Sequence, residues 1–269
     1  ETGVGMVEGV ESSRGPGQAV LVWKDGEHWS SRVIFQDTHL LHGVAIGDVS
    51  AAHPGNEVVV CGFNHRVQLL YWDEGSWKHE TIYVANDRLK IVLAADVLPD
   101  RPGLEVVATG SDGRPRFLWE GKSGWHHQTV FADRFGQSRV AVGEDGILIG
   151  GDGGKVTLAR RHEGRWQAEF LGRDTAKIRG VVLADVESRV PGTEAYACGY
   201  SGRVTQFVRA TDAYWKSHIV HAEDRALHHL LAGEFDSEHA GVELLTCGHG
   251  GRLLAVYPTG KTRRKQLSR

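Results

Sequence analysis

Apolar residues fall in runs of four to eight along this chain, rich in Val, Ile, Leu and Tyr and bounded by Gly, Pro, Asn and Asp. Such runs are too short for helices, and no stretch repeats its apolar positions at a helical period. The pattern predicts short strands joined by tight turns. Residues 42–83, HGVAIGDVSAAHPGNEVVVCGFNHRVQLLYWDEGSWKHETIY, resolve into four of them: HGVAIGDV, EVVVCGF, RVQLLYW and WKHETIY.

This four-run unit recurs. Trp29, Trp77, Trp125, Trp166 and Trp215 open the runs WSSRVIF, WKHETIY, WHHQTVF, WQAEFL and WKSHIV, at steps of 48, 48, 41 and 49 residues. A second ruler agrees with the first: Gly9, Gly62, Gly110, Gly151, Gly199 and Gly248 each end a short apolar run. Four antiparallel strands per repeat of this length is the mark of a propeller blade. The expected fold class is therefore all-β. It is one β-propeller over residues 1–269, of six four-stranded blades with an incomplete first blade; five or seven blades are the alternatives. The units run near 1–39, 40–88, 89–136, 137–177, 178–226 and 227–269. The first carries TGVGMVEG ahead of two clear strands. The last lacks the Trp, and its KTRRKQLSR ending reads as a solvated basic tail.

Composition and charge narrow the function classes. A net charge of -3 supplies no field to gather nucleic acid, so no nucleic-acid partner is expected. No run of 18 apolar residues exists to cross a bilayer as a helix. The three cysteines, Cys61, Cys198 and Cys247, share one repeat position just before the marker Gly, and read as small buried side chains. Gly154-Lys155 and Gly260-Lys261-Thr262 lack the upstream Gly of a phosphate loop, so no nucleotide cofactor is expected. No HExxH is present, and Gly199-Tyr200-Ser201-Gly202 is not a nucleophile elbow.

Polar residues that repeat in every unit read as structural. Asp48 and Glu57, Asp96 and Glu105, Asp185 and Glu194, and Glu234 and Glu243 are spaced alike across a Pro-Gly or Ala-Gly turn. A catalytic pair is needed once, not four times, so these carboxylates are expected to fasten a loop. Arg66, Arg114, Lys155, Arg203 and Arg252 are expected to pair with the acids of the entering loops, Asp37, Asp87, Asp133, Asp174 and Asp224.

The segment HGVAIGDV…PGNEVVVCGFNHRVQLL resembles the FG-GAP/VCBS class of propeller repeats, and the likeness covers nearly the whole chain. Such repeats often carry an Asp-x-Asp-x-Asp-Gly calcium loop. Here the loops read DVSAAHPGNE, DVLPDRPGLE, DVESRVPGTE and EFDSEHAGVE, without the Asp ladder that binding a calcium ion in each repeat would require.

Function is expected where the units differ from one another, at loops held on a rigid scaffold. The start of the inner strand varies as His42, Lys90, Ser138, Arg179 and His228, and the next position as Gly43, Ile91, Arg139, Gly180 and His229. The nearby turn varies as Phe63, Ser111, Asp152, Tyr200 and His249. His42, His65, His228, His229 and His249 are candidate ligands of a divalent metal, Zn or Mn. Lys90, Arg139, Arg179 and Asp152 are candidate substrate-binding residues. His42, His228 and Tyr200 are candidate catalytic groups that move a proton. Proteins with this kind of repeat are distantly similar to the propeller of aldos-2-ulose dehydratase-type proteins. That resemblance implies a metal-assisted carbon–oxygen lyase, a dehydratase acting on a sugar or sugar-derived substrate at the channel mouth. The alternative is a non-catalytic module that binds a carbohydrate or protein ligand.

Overall fold

The computed structural model describes residues 15–144, 146–190, 192–211, 214–257 and 262–265, the last four as backbone only. The TGVGMVEG run, Lys261 and Pro191 of the third Pro-Gly turn lie outside them. Every regular element described is a strand. The contacts divide the chain into two compact units, Glu1–Arg134 and Phe135–Arg269.

The first unit holds three sheets. A two-stranded sheet pairs β1 (Gly17–Asp25) with β2 (His28–Asp37). Two four-stranded sheets follow, each in chain order: β3 (Leu41–Gly47), β4 (Glu57–Gly62), β5 (Arg66–Asp73) and β6 (Ser76–Val84), then β7 (Leu89–Ala95), β8 (Glu105–Gly110), β9 (Arg116–Gly121) and β10 (Gly124–Thr129). The second unit holds three more four-stranded sheets. They are β11 (Gln137–Gly143), β12 (Gly146–Gly151), β13 (Lys155–His162) and β14 (Arg165–Arg173); β15 (Ile178–Ala184), β16 (Glu194–Gly199), β17 (Arg203–Thr211) and β18 (Tyr214–Ala222); and β19 (Leu227–Gly233), β20 (Glu243–Gly248), β21 (Leu253–Val256) and β22 (Thr262–Lys265). All neighbouring strands are antiparallel. The sequence units thus match the sheets. One expectation fails: Arg263, Arg264 and Lys265 lie in β22, paired with Ala255, Leu254 and Leu253. Basic side chains suit the edge of a sheet, where one side of the strand meets water, so a charged run is no bar to a fourth strand.

The second strand of each four-stranded sheet is where burial is deepest. EVVVCG, EVVATG and EAYACG are buried at every position. Strands covered on both faces read as continuous apolar runs. Stacked sheets share cores: Val59, Leu69, Leu89 and Leu118 pack in one cluster of the first unit, and Leu148, Leu158, Ile178 and Phe207 in one of the second. Close packing also explains the cysteine slot. A Cβ on Gly43 would stand 2.9 Å from Cys61 Sγ, and one on Gly180 2.8 Å from Cys198 Sγ. Burial pushes both thiols up to about 12, so neither is a thiolate at neutral pH.

The repeated carboxylates do fasten a loop. Glu57 Oε2 accepts the N–H groups of Val49 and Ser50 at 2.8 and 3.1 Å, and Glu105 Oε2 those of Val97 and Leu98 at 2.9 and 3.0 Å. Glu194 repeats the bond to Val186 and Glu187, and Glu243 to Phe235. Two of the marker Trp residues bond to the preceding sheet. Trp125 Nε1 donates to Glu80 at 3.1 Å, and Trp215 Nε1 to Glu169 at 2.8 Å. In both cases the acceptor lies three residues after the marker Trp of the preceding sheet. Trp29 is different, with 72% of its surface exposed.

Candidate functional site

Each four-stranded sheet carries the same irregularity. The register between its first two strands slips by one residue between Leu41 and Gly43, Leu89 and Ile91, Gln137 and Arg139, Ile178 and Gly180, and Leu227 and His229. The bulged residues are His42, Lys90, Ser138, Arg179 and His228, the set that differs most from unit to unit. A β-bulge leaves its extra residue out of the ladder and re-aims its side chain. The neighbouring turn is pinned beside it: the N–H groups of Phe63, Ser111, Asp152, Tyr200 and His249 donate to the carbonyls of Leu40, Arg88, Gly136, Lys177 and Ala226 at 2.8–3.0 Å. The marker Gly makes this approach possible in four of the five sheets, since a Cβ on Gly62, Gly110, Gly199 or Gly248 would collide with the carbonyl of Leu40, Arg88, Lys177 or Ala226. Every full sheet therefore presents one bulge residue and one turn residue side by side.

Two of the entering-loop acids, Asp37 and Asp174, are held differently from the expectation. Asp37 Oδ2 takes Asn64 Nδ2, and Asp174 Oδ2 takes Ser201 Oγ at 2.6 Å. Short side chains one place after the turn residue reach the acid, whereas Arg66 and Arg203, at the heads of their strands, are exposed. Arg252 pairs at 3.1 Å with Glu223 rather than with Asp224.

In the second unit the presented residues converge. Arg179 is buried, and its Nη1 donates to Asp152 Oδ1 at 2.9 Å and Ser138 Oγ at 3.0 Å. Its guanidinium lies 4.6 Å from the Tyr200 ring centroid. Arg139, which faces Gly150 in the ladder, donates from Nε to the Arg179 carbonyl at 2.5 Å and from Nη1 to the Ser138 carbonyl at 2.6 Å. Tyr200, His228 and His249 form a triangle of rings with centroids 5.6–5.8 Å apart, and His229 lies 5.3 Å from His228. Ser138, whose hydroxyl also donates to the Ile178 carbonyl at 3.1 Å, ties β11 to β15 beneath this group. Sequence reasoning gave Ser138 no role, although a hydroxyl at the bulge position was the available signal.

Electrostatics follow from this crowding of cations. Burial, and after it the charges of Arg139, His229, Arg179 and His249, pushes His228 down to about 4. Burial and Arg139 lower His229. Arg139 falls to about 10, through burial first and Arg179 second. Burial also weighs against Arg179, but hydrogen bonds to Tyr200 and Asp152 outweigh it and hold its value above the ordinary one. The imidazoles of His228 and His229 are thus neutral at pH 7. The two guanidiniums stay charged, and Asp152 is bonded to Arg179 alone, while Arg139 donates to backbone carbonyls. Such a group is suited to an incoming anion.

In the first unit, His42 Nδ1 lies 2.8 Å from the Lys90 carbonyl oxygen, and the His42 ring stacks on Phe63 at 5.8 Å. Arg88 also lies over the Phe63 ring, 5.0 Å from its centroid. His65 sits in the turn with φ of 66°, donating its N–H to Gly62 O and accepting from Ala85 N. Its backbone therefore has a turn-forming role that the sequence did not reveal. Among the described residues, no group of three or more His, Cys, Asp or Glu side chains is gathered as a ready metal site.

No protein-family description matches this sequence, and no curated protein does. The structure is similar to a solved WD40 β-propeller domain, that of Doa1, with a TM-score of 0.57 and 13% sequence identity, covering 82% of this chain and 67% of that one. At this identity the likeness speaks for fold alone. With the sheet order above, it makes the chain an all-β propeller, and about six blades fit its strands.

Proposed function

We infer that this β-propeller is a binding module for a small carboxylate-bearing ligand, of the sugar-acid class, held at Arg139, Arg179, Tyr200, His228 and His249. The observation that carries the reading is the pairing of Arg139 with Arg179. Two guanidiniums are brought close on adjacent bulged strands, against one bonded carboxylate, with a neutral imidazole beside them. Bringing like charges together costs free energy, and an anionic ligand offsets it. The tilted rings of Tyr200, His228 and His249 supply flat apolar faces beside the charge, a mixture typical of small-ligand sites. The resemblance of the repeats to the FG-GAP/VCBS class, and more distantly to aldos-2-ulose dehydratase-type proteins, favours a carbohydrate over other carboxylates. Calorimetric titration with glucuronate and with glucose tests it. Glucuronate binds at least about tenfold more tightly than glucose, and Arg139→Ala removes the difference. Equal affinity for the two sugars, or a difference that survives Arg139→Ala, overturns it.

A second reading, a metal-assisted lyase or dehydratase, draws on the neutral His228 beside His229 and His249. Neutral imidazoles are the donor set that Zn or Mn would take. Such a metal would polarise a sugar carboxylate or carbonyl, with Tyr200 placed to move a proton and Arg139 and Arg179 to orient the anion. Metal that co-purifies with the protein and is lost in His228→Ala supports this reading; metal-free protein with no turnover of sugar acids sinks it.

A further inference from the structure

Ser138 lies between the two arginines of the second unit and bonds to both. Its carbonyl accepts Arg139 Nη1 at 2.6 Å, and its hydroxyl accepts Arg179 Nη1 at 3.0 Å. The hydroxyl proton goes to the Ile178 carbonyl at 3.1 Å. Donating there leaves the lone pairs of Oγ for the guanidinium. Ser138 is only 1% exposed, so bulk water does not compete for this bond.

The aim of Arg179 follows from the contact. Three oxygens surround its Nη1: Ser138 Oγ, Asp152 Oδ1 at 2.9 Å and the Ile178 carbonyl at 2.9 Å. They come from the first strand of the preceding sheet, from the turn after its second strand, and from the backbone before Arg179 itself. A nitrogen held from three sides fixes the plane of the guanidinium, which lies 4.6 Å from the Tyr200 ring centroid. The repeat adds a contrast of size. The other bulge residues are His42, Lys90, Arg179 and His228, and Ser138 alone is short. A longer side chain from the same Cβ would meet the guanidinium as it reaches back from β15 toward Asp152. Strand β11 thus presents no long side chain of its own and supports that of its neighbour.

We propose that Ser138 is a positioning residue of the anion site, which holds the Arg179 guanidinium in the orientation that a ligand carboxylate meets. This rests on the reading of Arg139 and Arg179 as the seat of a sugar-acid carboxylate. A guanidinium presents its N–H groups as a rigid fork, and bidentate bonding to a carboxylate depends on the direction of that fork. A fork set before the ligand arrives also lowers the ordering cost of binding.

Two measurements on the full chain separate this role from packing alone. The first needs no ligand: phenylglyoxal, which modifies accessible arginines, is followed residue by residue by mass spectrometry. Ser138→Ala speeds modification of Arg179 about threefold or more and leaves the exposed Arg203 unchanged. The second is calorimetric titration with glucuronate. Ser138→Ala and Ser138→Cys, which lack a good acceptor, each weaken binding about fivefold or more, and Ser138→Thr, which keeps the hydroxyl, restores most of the loss. In an Arg179→Ala background Ser138→Ala has no further effect, because it acts through Arg179. Thermal melting confirms that each variant is folded. Arg179 reactivity that Ser138→Ala leaves unchanged, or an equal loss of affinity in the Arg179→Ala background, overturns the proposal. A parent protein that does not bind glucuronate, but whose Arg179 is released by Ser138→Ala, sinks the ligand reading and upholds the positioning of Arg179, so the two failures are told apart.

Discussion

Two contacts between neighbouring sheets, one in each unit, are built on the same bond and surrounded by opposite chemistry. Trp125 donates to Glu80 among Tyr71, Trp72 and Glu120; Trp215 donates to Glu169 among Arg160, Arg161 and Arg209. The shared bond belongs to the scaffold. The residues around it are where the units diverge: Arg160 and Arg209 stack on the Trp215 ring, at register positions that hold Tyr71 and Glu120 in the first unit. The bulged strands show the same division at the candidate site: the register slip recurs in all five four-stranded sheets, yet it presents His, Lys, Ser, Arg and His in turn. A repeat scaffold separates the two kinds of residue, so function is sought where the pattern is broken.

The largest effect should come from the better buried fastener. Trp215 is only 8% exposed and packs in the apolar cluster of its unit, so Trp215→Ala should destabilise the protein by about 3–5 kcal/mol in denaturant titrations. Trp125→Ala, at a more exposed bond, should cost clearly less. Next is the loop carboxylate. Glu105→Ala leaves the buried N–H groups of Val97 and Leu98 without their acceptor, a loss of about 2–4 kcal/mol.

Acid should separate the units as well. His228 is held at about 4, below its ordinary 6.5, so the folded state favours the neutral ring. The stability it lends is whole above pH 6.5 and is lost as pH falls toward 4, because the unfolded chain takes up the proton first. His228→Asn should flatten this limb of the stability profile. Exchanging the surroundings of the fastener is milder: Arg160→Tyr with Arg161→Trp, the residues of the first unit at those register positions, should change stability by no more than about 1 kcal/mol in denaturant titrations. The smallest effect is expected of the exposed marker, with Trp29→Ala within about 0.5 kcal/mol of the parent.

Much of this organisation is legible in the sequence. Trp and Gly spacing marks the sheets because each repeat reuses one packing solution. The Glu partners of Trp125 and Trp215 lie three residues after the preceding marker, a spacing that acquires meaning only once sheet neighbours are known. The bulges were not legible. A one-residue slip leaves the apolar alternation of LHGVAIG and IRGVVLA intact, and only pairing to the next strand shows that His42 and Arg179 leave the ladder. The buried Arg116, its Nη2 bonded to Asp112 and its guanidinium 5.0 Å from the Tyr83 ring centroid, was equally hidden. A charged residue at the head of a strand reads as exposed, and there Arg66 and Arg203 are. Residues Thr262–Lys265 misled for a related reason, since charge in an edge strand looks like charge in a tail.

The central claim is that the second unit presents an anion site at its bulged strands. An NMR pH titration of the His228 ring, with and without saturating glucuronate, addresses it directly. A carboxylate bound beside Arg139 and Arg179 offsets the cations that help depress His228, so its midpoint should rise from about 4 toward 6.5, and Arg139→Ala should abolish the ligand's effect. A His228 midpoint that glucuronate leaves in place would contradict the account.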